Sequence, residues 1–128
     1  MQGFLLVFLG AGVGGALRHA VYVWGARLIG TPTFPVATLA INISGSFFLG
    51  LVAGWLALRG GLANNSLRLL LATGISGGYT TFSAFSLEMV VLLERQKYLL
   101  AGLYAGSSVA ASVIGLAIGL WIMRTTLA

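Results

Sequence analysis

A chain of 128 residues that is 59% hydrophobic and 7% charged, with a mean hydropathy of +1.02, is not built like a soluble domain, where about a quarter of the residues are charged. Its seven Lys and Arg outweigh two acids and give a net charge of +5, but the cations stand singly at the ends of apolar runs, as lipid-headgroup anchors rather than a nucleic-acid face. No Cys is present, which excludes disulfides and thiolate chemistry; no Asp, one His and only Glu88 and Glu94 leave no credible catalytic set, so an enzyme is the reading least expected.

The composition predicts an all-α membrane protein forming one four-span domain. The first apolar run, 3–29, contains Arg18 and lacks the charged start and small-residue cleavage site of a signal peptide. It reads as a transmembrane helix of the roughly 20 residues or more that a bilayer requires. Pro32 and Pro35 end it in a short loop. The second span, 36–58, carries Thr38, Asn42 and Ser46 at i, i+4 and i+8, one polar stripe along one face. A Gly/Asn-rich loop follows. The third span, 67–93, is about 27 residues, or about 40 Å if fully helical, against a hydrocarbon core of about 30 Å. The excess fits a helix broken near its middle, and Gly74, Gly77 and Gly78 supply the weakness. After a charged turn at Glu94–Lys97, the fourth span, 98–123, carries a second stripe of Tyr104, Ser108 and Ser112. Gly-x-x-x-Gly pairs recur on every span (Gly10/Gly14, Gly50/Gly54, Gly74/Gly78, Gly102/Gly106 and Gly115/Gly119) and predict close helix packing.

The stretch 73–86 concentrates the chemistry. A helix interrupted at membrane depth frees backbone groups, which is tolerable only against protein or a watery cavity. Beyond the glycines, Phe82 and Phe85 share one helical face, and Ser83 and Ser86 the adjacent one. Aromatic ring edges are electropositive, so two edges attract an anion without the full charge that would trap it, and hydroxyl and amide hydrogens replace its hydration. One serine in a stripe is ordinary interhelical glue, worth on the order of 0.6 kcal/mol. Two stripes with Thr81, Ser83 and Ser86 are more donors than glue requires and read as a lined path. Arg18 is either a snorkelling side chain or a fixed charge at the mouth of that path. Glu88 is open between a proton carrier, a partner for Arg18 and a hydrogen-bonding group on the path. His19 has no carboxylate beside it and reads as structural. Gly10-x-Gly12-x-x-Gly15 matches a dinucleotide fingerprint, but no acid follows until Glu88, so helix packing explains it.

Residues 77–86, Gly-Gly-Tyr-Thr-Thr-Phe-Ser-Ala-Phe-Ser, resemble the signature of the Fluc (CrcB) family of small bacterial fluoride channels. Gly15-x-x-Arg18, Asn42-x-x-Gly45 and Tyr104-Ala-Gly-Ser-Ser108 fit the same family, and the likeness covers essentially the whole chain. The resemblance implies an antiparallel, dual-topology homodimer in the bacterial inner membrane, in contact with lipid, that passes fluoride passively. Phe82 and Phe85 would supply ring edges, Asn42 an amide donor, and Thr38, Ser83, Ser86, Glu88, Tyr104, Ser108 and Ser112 the polar track. Arg18 would face a vestibule. The backbone carbonyls of Gly77 and Thr80 from both subunits would hold a structural sodium ion. Where the family often has Thr, this chain has Ala84, so the track loses one hydroxyl.

The strongest rival is a small multidrug-type proton-coupled exporter, which needs a carboxylate in its first span; this chain has Arg18 and no acid there. A purely scaffolding subunit leaves the stripes and the broken span unexplained. Orientation follows Lys and Arg near span ends: Arg59, Arg68 and Arg124 lie on one side, Arg27, Arg95 and Lys97 on the other. This balance predicts insertion in both senses. With no native Cys, Ala63→Cys in the second loop is a clean probe, and an impermeant thiol reagent on intact cells is expected to label about half of it. Labelling near zero or near completion would mean a fixed topology.

Overall fold

The computed structural model describes residues 1–59 and 65–128; most of the second loop, with the probe position Ala63, lies outside the described residues. Apolar runs punctuated by Gly and Pro fold into helices α1 (Gln2–Ile29), α2 (Val36–Leu58) and, at the end of the chain, α5 (Tyr98–Leu127). At about 1.5 Å per residue, their 28, 23 and 30 residues reach about 42, 35 and 45 Å. Each is long and apolar enough to cross a bilayer. The third apolar stretch folds as two pieces, α3 (65–79) and α4 (Phe82–Glu94). Within α3, Arg68–Ser76 winds in wide π-helical turns before Gly77–Tyr79 returns to α geometry.

Packing is inverted relative to a soluble bundle. In lipid, large apolar side chains gain nothing by facing one another, whereas small residues let backbones touch. Accordingly Phe4, Phe8, Trp24 and Trp121 point outward, while α1 buries only Gly10 and Gly14. These two form a seam with α3. A Cβ added at Gly10 would stand 2.9 Å from the Cα of Gly74, and one at Gly14 would stand 2.7 Å from the amide nitrogen of Tyr79. The second seam joins α2 to α5: a Cβ on Gly119 would meet the backbone of Gly50 and Leu51, and one on Gly54 the side chain of Met123. Gly102 and Gly106, by contrast, have nothing within 4 Å of the equivalent position.

Glycine therefore does not break the third span as expected. Gly74 and Gly78 lie inside α3, their missing Cβ atoms required by Gly10 and Ala11 of α1. The interruption falls at Thr80 and Thr81, both extended (φ −75°, ψ 155° and φ −147°, ψ 117°). Thr81 makes that stop favourable by capping α4: its Oγ1 accepts from the Ala84 amide at 3.1 Å, a cap typically worth about 1 kcal/mol. The turn from α4 to α5 closes with Gln96 in the left-handed region (φ 58°), the Lys97 amide donating to Leu92 O and that of Gln96 to Leu93 O. Behind it Leu92, Ala101 and Tyr104 form a buried cluster against Phe34, Leu39 and Phe85.

The seams carry a direct consequence. Gly14→Ala drives a methyl into the α3 backbone, which cannot yield like a side chain, and is expected to cost about 1–3 kcal/mol. Gly12→Ala meets open space and is expected to be neutral or to stabilise by up to about 1 kcal/mol. Unfolding midpoints of the purified variants in detergent, measured side by side, check the ordering.

Candidate functional site

The break at Thr80–Thr81 is held by one side chain. Asn42, in the second turn of α2, accepts from the Thr81 amide through Oδ1 at 2.8 Å and donates from Nδ2 to the Thr81 carbonyl at 3.0 Å. Both polar backbone groups of one extended residue are thus satisfied without water. The consequence is felt upstream. In a continuous helix the Thr81 amide would bond the Gly77 carbonyl and the Ala84 amide that of Thr80. Here the first turns to Asn42 and the second to the Thr81 hydroxyl, so the Gly77 and Thr80 carbonyls lose their helical donors.

Beside the break runs an open groove of about 390 Å³ between α2, α3, α4 and α5. Its wall brings together Asn42, Ser46, Gly77, Thr80, Thr81, Phe82, Phe85, Ser108 and Ser112, all singled out in the sequence, with Ser76. The Phe82 and Phe85 ring centroids are 5.5 Å apart with planes tilted by 39°. Phe82 is 79% exposed, whereas Phe85 packs on Tyr104 at 5.0 Å. Among the described residues, three buried side-chain polar atoms have no hydrogen-bond partner: the hydroxyls of Ser76, Ser108 and Ser112. All three belong to the groove wall.

On the far side of Phe85 lies a closed polar chain. Thr38 donates to Glu88 Oε1 at 2.7 Å and Tyr104 to Oε2 at 2.7 Å. Because the Thr38 hydrogen is committed to the carboxylate, the 2.8 Å bond between Tyr22 and Thr38 has Tyr22 as donor. Thr38 and Tyr104 are fully buried. Tyr22, Thr38 and Glu88 also line a cavity of about 270 Å³ beneath the first loop, with Phe34 and Pro35. Of the roles open to Glu88, the geometry displays the hydrogen-bonding one: its oxygens are held by Thr38 and Tyr104, and Arg18 takes no part.

The remaining expected residues lie apart from the groove. Ser83 contacts Thr81 Oγ1 at 3.3 Å, and Ser86 donates back to the Phe82 carbonyl at 2.9 Å. Arg18 is half-buried on α1, one turn before Tyr22, and belongs to the wall of neither cavity. Sequence reasoning missed Tyr22 and Ser76. Tyr22 carried a weak signal, its i+4 spacing from Arg18; Ser76 carried none, because the wide turns of Arg68–Ser76 shift which face a residue occupies.

Residues 5–120 match the family described as CrcB-like protein, Camphor Resistance (CrcB). A protein of Methylobacterium sp. named fluoride-specific ion channel FluC is 54% identical over 124 residues, 97% of this chain and 98% of its own. Proteins of the same name from Methylobacterium nodulans and Hyphomonas neptunium are each 51% identical over 124 residues, again 97% of this chain, and 98% and 97% of their own. With three apolar helices long enough to cross a bilayer, the chain is a multi-pass membrane protein.

The Asn42 clamp is directly testable. Asn42→Ala leaves the Thr81 amide and carbonyl unpaired, at about 1–3 kcal/mol for each buried group. The Thr81 amide, followed by hydrogen exchange in detergent micelles, is expected to exchange faster in the variant, while amides in the α1–α3 glycine seam keep their protection.

Proposed function

The chain belongs to the CrcB-like family, and from that membership and the groove beside the broken span we propose that it is a fluoride channel of the bacterial inner membrane. The observation that carries the reading is the coincidence of three partnerless buried hydroxyls, the Asn42 amide and two phenylalanine rings along one groove. Fluoride accepts hydrogen bonds and donates none, so it is matched by a wall of O–H donors and by the electropositive ring edges of Phe82 and Phe85. None of these groups carries a positive charge, which keeps binding weak enough for release. Passive flux needs no proton carrier, in keeping with the tie of Glu88 to Thr38 and Tyr104. Thr38, Glu88 and Tyr104 continue the polar track past Phe85, with Ser83 and Ser86 on the adjoining face of α4 and Arg18 toward the vestibule. An exporter driven by protons is disfavoured, since α1 holds no acid.

The unit we propose is one four-span domain, with α3 and α4 together making the fourth crossing, paired with an inverted copy. Balanced flanking charge supports dual insertion. The exposed Gly102 and Gly106, with open space before them, offer a second backbone the close approach that the other pairs already use. The carbonyls of Gly77 and Thr80, deprived of their helical donors, are neutral hard-oxygen ligands suited to sodium. Supplied by two subunits, they would hold one ion that ties the breaks together.

Reconstitution tests the whole reading. Liposomes loaded with potassium fluoride, given a potassium ionophore, are expected to release fluoride and to retain chloride. Phe82→Ile and Phe85→Ile are expected to suppress release with the dimer intact, and protein stripped of sodium in a bulky organic cation to lose its dimer or its flux. No release, or equal release of chloride, would end the channel reading.

A further inference from the structure

The polar side chains of this protein fall into two sets. Helical serines and threonines normally return their hydrogen to the carbonyl three or four residues back; Ser44, Ser86, Thr125 and Thr126 do so here, as does Thr80 at the break. Ser76 does not. It is 3% exposed, its hydroxyl has no partner, and it stands in the groove wall at the last residue of the π-helical segment. Of the three hydroxyl residues that α3 and the break bring to the groove, Thr80 spends its hydrogen on the Ser76 carbonyl and Thr81 is engaged with Ser83 and the Ala84 amide. Ser76 alone retains a free donor.

We propose that Ser76 is an anion-binding residue. Its hydroxyl, with those of Ser108 and Ser112 across the groove, forms a three-donor site for a small acceptor-only anion. This rests on the fluoride reading and extends it to the first half of the third span, which that reading leaves with only a cation-holding role. Buried donors without an acceptor are costly to the fold, and an occupant that only accepts is the kind that would pair them. Ser76 closes the π-helical segment Arg68–Ser76, and π-helical turns frequently mark functional positions.

A structural role and a binding role for Ser76 predict opposite pairs of results. Ser76→Ala removes an unpaired buried hydroxyl, so the purified variant is expected to melt at the same temperature as wild type or higher. At the same time the fluoride concentration giving half-maximal liposomal efflux is expected to rise about tenfold, the typical loss for one hydrogen bond to a charged group. Potassium fluoride, but not potassium chloride, is expected to raise the melting temperature of wild type, and this shift is expected to shrink in Ser76→Ala. Ser44→Ala, whose hydroxyl lies off the groove against Tyr79, is expected to leave the fluoride response unchanged. Unaltered fluoride dependence in Ser76→Ala would overturn the proposal. So would a loss of flux accompanied by a lower melting temperature, or an equal loss in Ser44→Ala. If wild type shows fluoride-dependent melting without efflux, the site stands and the channel reading fails; if it shows neither, both fall.

Discussion

Everything at the centre of this molecule depends on two hydrogen bonds from Asn42 to the backbone of Thr81. A chain that leaves helical geometry in hydrocarbon has no water to satisfy its amides and carbonyls. By supplying both an acceptor and a donor, one carboxamide makes a single extended residue tolerable there. Thr81 then starts α4 with its own hydroxyl. The two threonines and one asparagine therefore do jointly what a glycine hinge was expected to do. They also fix where α4 begins, and so where Phe82 and Phe85 stand relative to the groove.

The glycines serve a different end. Two seams, α1 on α3 and α2 on α5, bring backbones close enough that an added methyl would meet main-chain atoms. Such contact is the chief source of helix association in lipid, where dispersion between closely fitted surfaces replaces the hydrophobic effect. Three of these helices, α2, α3 and α5, also carry the groove wall. Rigid seams on either side leave the hydroxyl-bearing faces of α2, α3 and α5 at a fixed separation.

Much of this was legible in the sequence, and the failures have identifiable causes. Hydropathy and proline placed α2 at 36–58 without error, because its ends are set by local signals, Pro35 and the end of the apolar run. The i, i+4 stripes put Asn42, Ser46, Ser108 and Ser112 on the groove wall, since regular helix carries phase faithfully along the chain. Phase is lost in Arg68–Ser76, where each π turn takes in an additional residue, so Ser76 could not be assigned a face from periodicity. The partnership of Tyr22, Thr38 and Glu88 joins three separate helices, and nothing local encodes it. Small-x-x-x-small spacing identified glycines able to pack closely but could not tell Gly10, whose Cβ position abuts Gly74, from Gly102, whose Cβ position meets none of the described residues within 4 Å.

The distribution of satisfied and unsatisfied polar groups separates holding the protein together from what it holds. Glu88, a costly side chain to keep at membrane depth, has both oxygens occupied by protein donors. Thr38 and Thr80 likewise spend their hydroxyl hydrogens inside the fold, and Asn42 gives one of its two amide hydrogens to the break. Among the described residues, the buried side-chain polar atoms left without a partner are narrow in kind: three hydroxyls, all on one groove, beside ring edges. A cation would find too few free acceptors among these side chains, and a proton no group without a partner to carry it. Water could accept from one or two of them, yet it brings hydrogens of its own to a wall already rich in donors. A compact anion that only accepts is the occupant whose chemistry the surplus fits, and the serine at the end of the π-helical segment is the part of that surplus contributed by α3.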